Sequence, residues 1–206
     1  MPVLVSGAAE GITDETVLRR VVQHVGADVA RVYGGNGKRS LRRSINGYNE
    51  AARYWPWVVL IDLDHDADCA PTLCREWLAA PAPMMYFRVA VREIEAWLLA
   101  DREAISRFIS VQVSRVPLAP DGLDDPKETL INLARVSRRR DIRADMVPRP
   151  GSGRSVGPAY SSRLIEFVST GRWRPDIAAA NSESLRRCVS ALSRMVATFT
   201  EGQGLG

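Results

Sequence analysis

Lysine is nearly absent from this chain. Of its 28 basic residues only Lys38 and Lys127 are lysines, and the others are arginines. Guanidinium groups carry almost all of the positive charge, and their planar forks suit phosphate oxygens. Cysteine is scarce as well. Cys69, Cys74 and Cys188 are odd in number and lack a framework spacing, which argues against a secreted disulfide scaffold. No apolar run approaches the roughly 18 residues that a membrane-spanning helix needs. The stretch Met1-Pro2-Val3-Leu4-Val5 lacks a basic region and a long apolar core, so the expectation is no signal peptide, no membrane association and a cytoplasmic location. His65, Cys69 and Cys74 match no compact zinc module, because a fourth soft ligand is missing nearby. Gly34-Gly35-Asn36-Gly37-Lys38 lacks the Gly-Lys-Ser/Thr order of a phosphate loop and reads as a turn.

What is present is ordinary in amount and uneven in place. The 206 residues, 46% hydrophobic and 25% charged, suffice for one large domain or a core domain with an appendage. The net charge is +4. Residues 31–54 carry Arg31, Lys38, Arg39, Arg42, Arg43 and Arg53 against Glu50 alone. Residues 60–76 carry Asp62, Asp64, Asp66, Asp68 and Glu76 against Arg75 alone. Acids beside basic flanks suit a metal site that meets a polyanion.

Hydrophobic periodicity divides the chain into two parts. Strands are expected at 3–5, ending near Gly7, then at 29–33, 57–61 and 84–90, with helices between them. Trp57-Val58-Val59-Leu60-Ile61 is continuously apolar, as a parallel strand buried on both faces requires. Thr13 or Asp14 is expected to cap the first helix, and residues 93–109 to be largely helical. The alternation βαβαβαβα predicts an α/β, Rossmann-like domain over residues 1–110, with a parallel sheet of about four strands. Beyond it, residues 111–206 read as a helical, Arg-rich extension with helices near 126–139, 158–170 and 182–200.

The chemistry concentrates at two strand ends. Ile61-Asp62-Leu63-Asp64-His65-Asp66 follows the third strand. Alternation along a strand would point Asp62 and Asp64 to one side. Neighbouring carboxylates repel unless a cation or proton intervenes, and hard oxygens favour Mg²⁺ or Mn²⁺. Glu10-Gly11-Ile12-Thr13-Asp14 follows the first strand. Where first and third strands are neighbours, Glu10 would face the aspartates as a general acid or base, or as a further ligand. Glu93 and Glu95 are weaker candidates, as is Asp66. On one helix the two glutamates would point roughly 200° apart and could not share a metal. The basic run Arg138-Arg139-Arg140, with Arg154 and Arg163 beyond it, offers possible phosphate contacts against the simpler reading of a solvated face.

Glu-Gly-x-x-Asp after a first strand and Asp-x-Asp after a third together resemble the TOPRIM fold of topoisomerases, bacterial primases and OLD-family nucleases. Over residues 1–100 this resemblance implies acid–base chemistry by Glu10 and Mg²⁺ held by Asp62 and Asp64 during phosphodiester cleavage or transfer. The full chain resembles a narrower bacterial TOPRIM-like family, the domain of unknown function 4276. The matching stretches are Arg88-Val89-Ala90-Val91-Arg92-Glu93-Ile94-Glu95-Ala96-Trp97-Leu98-Leu99-Ala100-Asp101, Asp125-Pro126-Lys127, Val156-Gly157-Pro158-Ala159-Tyr160 and Ser182-Glu183-Ser184-Leu185-Arg186-Arg187. That family brings no reaction of its own. The expectation is a metal-dependent nuclease with DNA or RNA as substrate, and with Lys38, Arg39, Arg88, Arg92 and Lys127 as phosphate contacts. The OLD-like resemblance implies phage or mobile-element defence and a partner ATPase. The alternative is a partner protein that kept the fold and lost turnover. A HAD-type phosphatase would need its aspartate pair after the first strand, and here it follows the third.

Overall fold

The computed structural model describes residues 2–203 and divides the chain into two compact units. The first comprises residues 1–91 with 184–206, and the second residues 92–183. The expected division at 110/111 is therefore not the one the units follow. Among the described residues no helix is long and apolar enough to cross a membrane.

The first unit is an α/β fold. Its elements are β1 (Val3–Ala9), α1 (Ile12–His24), β2 (Ala27–Gly34), α2 (Lys38–Ala51), β3 (Trp57–Asp62), α3 (Ala70–Trp77) and β4 (Met85–Ala90). The four strands form one parallel sheet in the order β2-β1-β3-β4. β1 extends beyond the expected end near Gly7 because Ser6, Gly7, Ala8 and Ala9 pair with β3 residues Trp57 to Leu60. β3 is buried over its whole apolar run, as its composition requires. Trp57, Val59 and Ile61 join Leu41 and Ile45 of α2 and Leu73 and Trp77 of α3 in one core cluster. Tyr48 stacks on the Trp57 ring at 4.8 Å, and Tyr33 on the same ring at 5.3 Å.

The strand order has a physical consequence. From β1 the chain moves outward to β2, then returns to the far side of β1 to lay down β3. The connections after β1 and β3 leave in opposite directions, which opens a crevice between their carboxyl ends. Both acidic motifs lie there.

The second unit is helical. It holds α4 (Ile94–Ala100), α5 (Arg102–Ile109), two 3₁₀ turns (Val113–Arg115 and Pro120–Gly122), α6 (Pro126–Arg135), α7 (Arg140–Met146), α8 (Tyr160–Ser169) and α9 (Pro175–Asn181). All seven residues of α4 are buried, and both α6 and α9 pack on it. Residues 93–109 are largely helical, as expected, in two helices that meet at Asp101. That side chain caps α5 by accepting from Ala104 N–H and also accepts from the Arg174 main chain and guanidinium. α10 (Glu183–Gln203) belongs from residue 184 onward to the first unit, with Leu185, Cys188, Leu192 and Met195 buried at helical spacing.

Candidate functional site

β1 and β3 bring Glu10 and Asp62 together. Glu10 Oε1 accepts a hydrogen bond from the backbone N–H of Asp62 at 3.0 Å. Gly11 is the N-cap of α1 in extended backbone, with no side-chain cap bond, so the expected cap by Thr13 or Asp14 is not the one used. A Cβ on Gly11 would lie 3.0 Å from Asp14 Oδ2, so the glycine leaves room for that carboxylate. Burial raises the Glu10 pKa from 4.5 to about 7. The Asp62 N–H bond and the Lys38 charge oppose the rise, while Asp14 and Asp64 add to it.

The Asp62–Asp64 pair does not follow strand alternation. β3 ends at Asp62, although Leu63 N–H still bonds Ala90 O at 2.8 Å. Asp64 then takes a left-handed backbone with φ of 49°, and Asp66 N–H closes a turn onto Leu63 O at 3.3 Å. An Asp tolerates this region better than most residues, but such conformations still cost energy and recur at functional sites. The turn carries Asp64 and Asp66 to Lys38, the first residue of α2. Its ammonium lies 2.6 Å from Asp64 Oδ2 and 2.6 Å from Asp66 Oδ2. Burial acts against the Lys38 charge, yet its bonds to the two aspartates and the field of Glu10 hold its pKa above the usual lysine value. The basic and acidic blocks of the sequence thus meet at one side chain.

The Gly-rich turn fixes where Lys38 starts. Gly35 N–H bonds Ala9 O and Gly37 N–H bonds Glu10 O, each at 3.1 Å, which clips the turn to the end of β1. Gly34 has φ of 101°, and a Cβ there would lie 2.2 Å from Ala9 O. Gly34→Ala is therefore expected to cost about 3 kcal/mol in urea denaturation. Gly35→Ala, with φ of 78° and open space around its Cβ position, should cost only about 1 kcal/mol.

Glu93, Glu95 and Lys127 meet in the second unit. Glu93 precedes α4 in extended backbone, so helical spacing does not separate it from Glu95 as expected. Lys127 Nζ lies 2.5 Å from Glu93 Oε1 and 3.9 Å from Glu95 Oε1, and Lys127 N–H bonds Glu93 Oε2 at 2.9 Å. Lys127, at the start of α6, is thus held in an ion pair, and Asp125 caps that helix through Glu128 N–H. Tyr160 donates to Glu95 Oε1 at 3.1 Å, while buried Glu95 Oε2 has no hydrogen-bond partner. The role of Tyr160 was not read from the sequence, although it ends one of the quoted motifs. Both lysines of the chain thus sit against pairs of carboxylates.

Burial raises the Glu95 pKa from 4.5 to about 7, with Glu93 adding and Lys127 and Tyr160 opposing. The folded state therefore keeps a proton that the unfolded chain has released. This contribution to stability is complete below pH 4.5 and is lost as pH rises to 7, a fall of about 3 kcal/mol. Urea titrations at several pH values should show that slope in the native protein and a flatter one in Glu95→Gln.

Other expected contacts are dispersed. Arg39 follows Lys38 on α2, and Arg88 lies on β4 with its Nε buried and without a hydrogen-bond partner. Arg92 opens the second unit. The Arg138–Arg140 run is split. Arg139 pairs with Asp141, Arg163 joins Asp141, Asp145 and Glu166, and Arg138 lines a cavity of about 130 Å³ with Arg115 and Gln112. Among the described residues, no group of three or more His, Cys, Asp or Glu side chains is arranged to hold a metal ion. The chain matches no family model, no curated protein and no solved structure.

Proposed function

We propose that this chain is a metal-dependent phosphodiester-processing enzyme of the TOPRIM type, a nuclease acting on DNA or RNA. The observation that carries this reading is Glu10, a carboxyl with a pKa of about 7, bonded to the main chain of Asp62 at the crevice between β1 and β3. An acid–base group is most effective when its pKa lies near the working pH. The donors around it are all hard oxygens, which fit Mg²⁺ or Mn²⁺. Asp62 and Asp64 would hold the ion, with Asp66 beside them. When bound, it would supply Lewis acidity toward a phosphate oxygen.

The chain's own groups do the rest. Glu10 Oε1 is held by the Asp62 N–H, which leaves Oε2 to take or give the proton of the nucleophile or leaving group. Lys38 and Arg39, at the start of α2, are the nearest cations in sequence to the Gly-rich turn and would meet the substrate's phosphates. Phage or mobile-element defence with a partner ATPase is the setting this reading suggests.

One observation favours a second reading. The Lys38 ammonium already neutralises Asp64 and Asp66, as a protein without a metal would require. On that reading the chain is a binding partner without turnover. Incubation with single- and double-stranded DNA and RNA in Mg²⁺ or Mn²⁺ separates the two. Cleavage that EDTA abolishes and Asp62→Asn lacks supports the enzyme. Absence of cleavage on every substrate, or full activity in Asp62→Asn, supports the partner.

A further inference from the structure

We propose that Lys38 is a resident counter-ion: its ammonium holds Asp64, with Asp66 beside it, until a divalent metal on Asp62 and Asp64 displaces it. This rests on the metal-site reading above and adds a regulatory element to the same site.

The geometry is that of a cation with two ligands. Lys38 Nζ lies 2.6 Å from one oxygen of each aspartate. Neither carboxylate comes from the element that carries the lysine. Asp64 and Asp66 belong to the turn after β3, and Lys38 is delivered by α2 through the clipped turn at Gly34–Gly37. Residue choice points the same way. This chain places arginine at nearly every basic position, yet it has lysine here. A guanidinium is a wide planar fork, whereas an ammonium is a compact point charge. Of the two, the ammonium fits where a small spherical ion would fit. Lys127, the other lysine, also sits against a carboxylate pair, Glu93 and Glu95.

The pair is built to be exchanged. The Asp64 and Asp66 side chains are 41% and 50% exposed, against 18% for Lys38, so solvent and ions reach the carboxylate side of each pair and weaken it. Lys38 has a long flexible stem that can swing its charge away without moving α2. A divalent ion places twice the charge on the same oxygens. The ammonium it releases remains at the site entrance, where a phosphate is the natural new partner. In the exchange, metal–oxygen coordination replaces the ammonium's hydrogen bonds to Asp64 and Asp66, and no proton moves.

Metal binding itself provides the test, without any activity readout. Free Mn²⁺ is counted by electron paramagnetic resonance during titration of the full chain and of Lys38→Met, Lys38→Gln and Arg43→Met. Removing the competitor should tighten Mn²⁺ binding about three- to tenfold in both Lys38 variants, from the modest strength of two partly exposed ion pairs. Arg43→Met removes the same charge from an exposed position of the same helix and should change the affinity less than about twofold. In the absence of metal, Lys38→Met should melt at a lower temperature than the native protein, because Asp64 and Asp66 then face each other unscreened. Saturating Mn²⁺ should restore it. Either Lys38 variant suffices if the other fails to fold. Mn²⁺ binding in the native protein with no tightening in the Lys38 variants overturns the counter-ion role alone. Equal tightening in Arg43→Met also overturns it, since a general field effect would then explain the result. Absence of Mn²⁺ binding in every protein overturns both this inference and the metal-site reading.

Discussion

Glu10→Gln is expected to lower metal-dependent cleavage by about 10²- to 10⁴-fold while leaving the fold intact. The amide keeps an oxygen where Oε1 accepts the Asp62 N–H, so the β1–β3 junction survives. What it loses is the ability to exchange a proton. The substitution also removes a partly buried acid whose burial opposes its charge, so stability at neutral pH should hold or rise slightly. Circular dichroism and thermal melting of the variant beside its cleavage rate form the decisive pair of measurements. A normal melt with lost cleavage assigns the chemistry to Glu10. Retained cleavage would assign the proton transfer elsewhere and leave Glu10 as a clamp on Asp62.

The largest expected loss of stability lies in the second unit. Asp101→Ala should cost about 3–5 kcal/mol. Asp101 is fully buried and accepts from Ala104 N–H at 3.3 Å, Arg174 N–H at 3.1 Å, Arg174 Nε at 2.9 Å and the terminal nitrogen of Arg174 at 2.7 Å. One carboxylate therefore caps α5, ends α4 and anchors the start of α9. Its loss leaves two main-chain donors and a guanidinium without their acceptor, and the cap alone is worth about 1 kcal/mol. Asp101→Asn should cost less than Asp101→Ala, because one acceptor oxygen remains. Urea denaturation of the two variants orders them, and equal midpoints for Asp101→Ala and the native protein would contradict the account.

These two positions differ in how readily they are seen. Glu10 and Asp62 follow short apolar runs that read as strands, so their place near strand ends is legible from local pattern. Asp101 lies within a stretch that reads as largely helical, because helix-favouring apolar residues on both sides mask a break enforced by Arg174, 73 residues later. α7 and α9 have seven residues each, too few for a helical period to stand out. The Glu93–Glu95 separation was misjudged for a related reason: Glu93 lies before the helix, where spacing rules for a helix do not apply.

The amino-acid sequence alone determined the α/β character, the strands and the two acidic motifs after β1 and β3. Each of these depends on residues within a few positions of one another, through burial and strand period. It did not determine what those acids touch. Asp64 left the strand through a left-handed turn, Lys38 came from a helix 26 residues earlier to meet it, and Lys127 came from 34 residues away to meet Glu93. Partners at such separations are set by strand order and helix packing, which local periodicity does not encode. The scarcity of lysine, visible from the first reading, acquired its physical meaning only when both lysines were found against paired carboxylates.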